Sequence, residues 1–171
     1  KMVKKEAPTI KTERLTLRRL MESDIPFMSD MFADDQVTKY LTADTPPCDS
    51  HSMLQIVRAR RETEWAMVLD KTDEFIGDFM IVNIAQGYLG EIGCVLRHSF
   101  WCQGYAKEAA LAVIAYCRND LGLRRLCAKI DNENLRSKKL FASLGFTLNA
   151  VLPEANFGGR VCDIAYYSRM L

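Results

Sequence analysis

Long apolar runs, histidine clusters, internal repeats and any excess of one charge are all missing from this 171-residue chain. No apolar run approaches the roughly 20 residues that span a bilayer, so no membrane partner is expected. No apolar stretch follows Lys1, Lys4 and Lys5, so no signal peptide is expected either. The formal net charge is +1, from 23 Lys and Arg against 22 Asp and Glu. A balance that close gives no broad basic field, so sequence-independent binding to nucleic acid is not expected. Histidine is limited to His51 and His98, and none of the six cysteines stands in C-x-x-C spacing. A metal site is therefore not expected. Neither phosphate fingerprint is present, the Gly-x-x-x-x-Gly-Lys-Ser/Thr of a P-loop or the Gly-x-Gly-x-x-Gly of a dinucleotide fold. That disfavours a nucleoside triphosphatase and a dehydrogenase.

What remains is an ordinary globular chain, with enough apolar residues for a core in one domain over residues 1–171. Cys94, Cys117 and Cys127 sit inside apolar runs and read as small core residues, reduced in a cytoplasm. A nucleophilic pair of Cys94 or Cys102 with His98 is the sharper alternative, but no nearby carboxylate would orient it.

Arg14–Leu20 alternates apolar and polar residues and predicts a strand. Ser23 reads as the N-cap of a helix carrying Ile25, Phe27, Met28, Met31 and Phe32. Thr45-Pro46-Pro47 breaks the chain before a second helix over 50–62. Strands over 64–70 and 74–84 flank a turn at Lys71-Thr72-Asp73. Strand 89–96, helix 104–119 and strand 124–130 make a βαβ unit, hence a parallel pair. Helix 134–144 ends before Gly145, and strands 146–152 and 161–171 close the chain. The pattern is α/β of mixed α+β type. It predicts a three-layer fold with a central twisted, mixed, mostly antiparallel sheet of six to seven strands, and about four helices on both faces.

Trp101-Cys102-Gln103-Gly104-Tyr105-Ala106-Lys107 sits where helix 104–119 begins. The free N–H groups of a first turn and the positive end of the helix dipole suit an anion. Gly104 permits close approach, and Lys107 can add charge. The same residues also read as a plain helix start that happens to contain a glycine.

Five segments, in order, resemble the GNAT acetyltransferase family, and more closely its RimJ/RimL-like branch. They are Thr12–Arg18, Glu91–Leu96, Trp101–Ala106, Asn134–Ser137 with Leu144-Gly145-Phe146, and Gly158–Tyr167. Trp101–Ala106 is similar to an aromatic variant of the family's Arg/Gln-x-x-Gly-x-Gly/Ala pyrophosphate loop. The resemblance implies acetyl-CoA as cosubstrate, without a metal, held between strands 89–96 and 124–130 where they splay. It implies that Gln103, Gly104, Tyr105, Ala106 and Lys107 cradle the pyrophosphate. The main chain of Cys94, Val95 and Leu96 would pair with the pantetheine arm, and Asn134 would hydrogen-bond it. A glycine in a strand often marks a bulge or a close backbone approach, and a bulge at Gly93 would free an N–H for the thioester oxygen.

Direct amine acetylation needs a base, because a lysine-like amine has a pKa near ~10. Glu91, on the splayed strand, is the leading candidate, against a plain strand carboxylate facing solvent. Glu154 in Pro153-Glu154-Ala155 is the second, against a plain loop carboxylate. Many family members carry a tyrosine acid where this chain has Phe141, which cannot donate a proton. Ser137 matches a serine offered to the sulfur, and solvent is the other proton source. Loop 38–49 is a candidate wall of the acceptor site, and Asp34, Asp35, Asp44 and Asp49 near it would suit a cationic acceptor. The expectation is a cytoplasmic N-acetyltransferase, monomer or homodimer. It moves acetyl to a primary amine, either a protein N-terminus or a small amine or amino acid, through a ternary complex. A non-catalytic acyl-CoA-binding sensor is the alternative, and a domain that binds no CoA is the third reading.

Overall fold

Among the described residues the chain forms eight strands, the seven expected and a short one before them: β1 (Ile10–Lys11), β2 (Leu15–Arg18), β3 (Glu64–Leu69), β4 (Glu74–Ala85), β5 (Leu89–Leu96), β6 (Arg125–Asp131), β7 (Thr147–Phe157) and β8 (Arg160–Met170). The computed structural model describes residues 6–42, 49–59 and 62–171. Its helices are α1 (Ile25–Ala33), α2 (Asp35–Thr38), α3 (Ser50–Ala59), α4 (Tyr105–Asn119) and α5 (Leu135–Ser143). The strands form one sheet in the order β1-β2-β3-β4-β5-β6-β8-β7. Among the described residues only β5 and β6 run parallel; the other pairings are antiparallel. The sheet exceeds the expected six to seven strands by the two-residue β1, and α2 is a short helix beyond the expected four.

Strand alternation splits the core into two layers. Trp65, Met67, Phe79, Ile81 and Ile92 turn to the face covered by α4, whose Ala109, Val113 and Cys117 are buried there with Phe141 of α5. Ala66, Val68 and Phe75 turn to the opposite face, under α1, α2 and α3. Because helices cover β3 and β4 on both faces, these strands read as apolar runs. Trp65 is fully buried, and its Nε1 donates to Pro8 O at 2.8 Å. Replacing it with alanine removes its packing and is expected to cost about 3–5 kcal/mol.

Most element bounds fall close to those expected, but β7 runs on to Phe157 past the expected 152, and two local readings are corrected. Asn134 caps α5, its Oδ1 accepting from Ser137 N–H at 3.1 Å. At the other end Gly145 takes φ +79°, and Phe146 N–H returns to Phe141 O at 3.0 Å. Ser23, however, is not a cap. It lies inside a 3-10 turn over Glu22–Asp24, and the carboxylate of Asp24 accepts from Met21 N–H at 2.8 Å instead. That carboxylate also receives both guanidinium nitrogens of Arg18, at 2.8 and 2.9 Å, which fastens α1 to β2. The expected bulge at Gly93 is the second correction. Gly93 pairs in register with Met80, and the irregularity lies across the ladder in β4, between Val82 and Ala85. There Asn83 takes φ +50°, which a short polar side chain tolerates. The Thr45-Pro46-Pro47 break lies outside the described residues. No helix among the described residues is long and apolar enough to cross a membrane.

Candidate active site

β5 and β6 pair only from Leu89–Arg125 to Glu91–Cys127, and then part. From Cys94 onward the edge of β5 that faces β6 has no strand partner. Arg97 N–H donates to Ile76 O on β4 at 2.8 Å. By alternation Gly93 and Val95 also turn their main chain to β4, while Cys94 and Leu96 turn theirs to the gap. Val95 therefore contributes its side chain to the gap's surroundings rather than its main chain. The Leu96 carbonyl accepts from Trp101 Nε1 at 2.9 Å. The parting opens a cleft of about 660 Å³.

One end of the cleft is the start of α4. Gly104, Tyr105, Ala106 and Lys107 line it. Gly104 is the N-cap and takes φ +84°, and Cys102 before it takes φ +60°. No side chain caps this helix start, so its first N–H groups stay available to a ligand. Gln103 does not line the cleft; its Nε2 donates to Ser99 O at 3.0 Å. Across the gap stand Asn134, Arg136 and Ser137 of the α5 start. Capping uses Asn134 Oδ1 and leaves its amide N–H₂ for a ligand. The Arg136 guanidinium lies 3.3 Å from the centre of the Trp101 ring, which joins the two sides of the gap.

The other end is acidic. Glu64, Asp78, Glu91 and Asp131 line it from four strands, together with Tyr40, Leu41, Thr42 and Phe157. Glu64, Asp78 and Asp131 are buried, at 6%, 2% and 3% exposure. Glu91 Oε2 accepts from Asn83 Nδ2 at 2.9 Å and pairs with Lys129 Nζ at 3.1 Å. Burial pulls Lys129 down, but the bond and charge of Glu91 outweigh it and hold the ammonium above its usual range. Asp131 pairs with Arg160 at 2.7 Å, and Arg160 Nε donates to Leu41 O at 3.2 Å. These contacts tie the last hairpin to the segment after α2.

Glu91, Ser137 and Asn134 thus meet in one cleft with the Gly104–Lys107 segment and the β5 edge, while Glu154 does not join them. Glu154 is exposed in β7 beside a register shift, at φ +49°, and its N–H donates to Asp163 Oδ1 at 3.0 Å. Phe141 lines the cleft and packs edge-on against Phe146 with ring centres 5.1 Å apart. Loop 38–49 reaches the cleft through residues 40–42, and residues 43–48, with Asp44, lie outside the described set. Asp34 and Asp49 serve helix starts instead, accepting from Gln36 N–H at 2.8 Å and Ser52 N–H at 2.9 Å. Among the described residues, neither Cys94 nor Cys102 is seen bonded to His98. His98 faces Asp34 and Trp101, and desolvation pushes the Cys94 thiol up, with the nearby Asp78 charge adding to it. Sequence reasoning missed Glu64, Asp78, Asp131 and Arg136. The available signal was a carboxylate inside an apolar strand, as in Gly77-Asp78-Phe79-Met80.

Comparison with known proteins decides the family. The model of the acetyltransferase (GNAT) domain matches residues 14–147. The chain belongs to the GNAT acetyltransferase family. Membership makes it an acyltransferase, of a family that uses acetyl-CoA. It is 32% identical over 169 residues to p20 of Bacillus licheniformis, a protein named as an uncharacterised N-acetyltransferase, with 94% of each chain covered. The fold is similar to that of a GNAT-family acetyltransferase from Bacillus anthracis, with TM-score 0.86, 22% identity, and 95% and 98% of the two chains covered. It is also similar to RimL, a ribosomal L7/L12 α-N-protein acetyltransferase solved with coenzyme A, with TM-score 0.77, 22% identity, and 96% and 98% covered. The eight-stranded, mostly antiparallel sheet with helices on both faces agrees with these neighbours.

Proposed function

We propose that this GNAT domain, residues 1–171, transfers acetyl from acetyl-CoA directly to a primary amine within a ternary complex. The observation that carries the reading is the gap between β5 and β6, with a helix N-terminus at one end and carboxylates at the other. The donor supplies an acetyl group activated as a thioester. The Gly104–Lys107 segment, with Gln103 shaping its turn, holds the pyrophosphate. Cys94 N–H and C=O, with Leu96, take the pantetheine arm, and the Asn134 amide donates to it. Arg136 adds a cation to the same side.

Glu91 is the base. Its Oε2 carries both Asn83 and Lys129, so the other oxygen can face the acceptor ammonium, directly or through a water. Once neutral, the amine nitrogen attacks the thioester carbon and the C–S bond breaks; the nitrogen loses its second proton to solvent, and the thiolate takes a proton from Ser137, which solvent restores, or from solvent directly. Glu154 is a secondary carboxylate outside this route. The acidic end suits a cationic acceptor, a protein N-terminus or a small amine or amino acid; the RimL neighbour's protein substrate supports the first. Free thiols at Cys94, Cys102, Cys117, Cys127 and Cys162 suit a reducing cytoplasm, and the protein acts as a monomer or homodimer. The ion pair on Glu91 and the inert Phe141 favour a second reading, an acyl-CoA-binding sensor without turnover.

The test is thermal stability with acetyl-CoA, with acetate and ATP as controls. A ligand at about a hundred times its Kd adds about 2.7 kcal/mol. A shift specific to acetyl-CoA, followed by thiol release with an amine panel, is the expected result. A shift without thiol release favours the sensor, and no shift at millimolar ligand overturns the donor site.

A further inference from the structure

Thr12 and Arg14, in the turn from β1 to β2, line no part of the cleft, yet they meet the start of α4 some ninety residues later. Their common partner is Glu108 in the first turn of α4. Its Oε1 accepts from Thr12 Oγ1 at 2.6 Å and from Arg14 N–H at 2.7 Å, and its Oε2 accepts from Arg14 Nε at 2.7 Å. Arg14 also reaches two residues of the loop itself. Its Nη1 donates to Gln103 O at 3.0 Å, and its guanidinium lies 4.4 Å from the centre of the Tyr105 ring.

Two physical problems of an anion loop are answered by these contacts. A carboxylate in the first turn would repel a phosphate at the same helix end, and Arg14 neutralises it. A carbonyl left free beside a phosphate would also repel it, and Arg14 engages that of Gln103 in a hydrogen bond. The loop is also strained, since Cys102, not a glycine, sits in the left-handed region at φ +60°. Such a conformation persists only where the surroundings over-determine it.

We propose that Arg14 and Thr12 are positioning residues for donor binding, which act through Glu108 to hold the 103–107 loop in the shape that accepts a pyrophosphate. This rests on the donor site proposed above. It assigns a task to the Thr12-Glu13-Arg14 segment, which otherwise has none in the cleft.

The experiment compares calorimetric binding of acetyl-CoA and of S-acetylpantetheine, which lacks the pyrophosphate and nucleotide. Arg14→Ala is expected to cut the preference for acetyl-CoA over S-acetylpantetheine by about tenfold, between the loss of an exposed ion pair and that of a misplaced site. Arg14→Lys, which keeps the charge but loses the fork, is expected to fall between. Thr12→Val removes one bond, reads the same ratio if Arg14→Ala fails to fold, and is expected to lower it about twofold. An equal loss for both ligands, or an unchanged preference, overturns the clamp. A wild-type protein without any preference for acetyl-CoA overturns the donor site itself, so the two failures are told apart.

Discussion

The proposed donor end of the cleft is nearly one run of chain, Cys102–Lys107 beside the free edge of β5, whereas the acceptor end is assembled from Glu64, Asp78, Glu91 and Asp131 on four strands. The two ends grip by different means. A pyrophosphate and an amide-bearing arm can be held by main-chain groups, which needs a loop of fixed conformation and therefore a contiguous motif. A cationic acceptor is held by side-chain charge, which any strand can supply provided that its side chain faces the cleft. The donor end is accordingly tied from behind by Arg14 and Glu108, and the acceptor end is set by which residues alternate toward α1, α2 and α3.

The sharpest way to separate the ends is Glu91→Gln. It is expected to lower kcat by about a hundredfold, within the usual range for losing a general base, while the Kd for acetyl-CoA stays close to wild type. Stopped-flow single turnover and calorimetry read the two quantities. An unchanged kcat between about pH 6 and pH 9 would remove Glu91 from the chemistry.

Asp78→Asn, which keeps the shape and removes the charge, is expected to raise the acceptor KM about fivefold, the worth of one well-screened charge contact. The same variant should bind acetyl-CoA as wild type does. A weakened donor with an unchanged acceptor KM would reverse the assignment of the two ends.

The smallest effect concerns acid. Burial works to raise the Glu108 carboxyl, but Thr12, Arg14 N–H and the Arg14 guanidinium outweigh it and hold it below the usual range. Its contribution to stability is therefore present above the ordinary glutamate value and is lost as pH falls through the depressed folded value. Between about pH 5 and pH 3, Tm should fall less steeply in Glu108→Gln than in wild type. Parallel curves would show that the clamp adds nothing to folding.

Much of the fold was legible because its signals are local. Strand 89–96 was read to the residue and the α4 start to within one, Gly104 proving to be the N-cap before Tyr105, since alternation and a glycine at a helix end depend only on neighbours in sequence. The bulge was misplaced for the opposite reason. A lone Gly93 signals close approach, but register is a property of two strands, and the irregularity settled on Asn83. Ser23 failed as a cap because Arg18, brought alongside by β2, made Asp24 the better anchor.

The sequence by itself determined the α/β class and the helix starts beside Gly104 and Asn134. Each follows from backbone preferences that act over a few residues. Only the tertiary structure decided that β5 and β6 part after Glu91, that Asp78 and Glu64 face the same cleft, and that Arg14 reaches Glu108. Those depend on strand order and pairing, which bring together residues dozens of positions apart and which no local preference encodes.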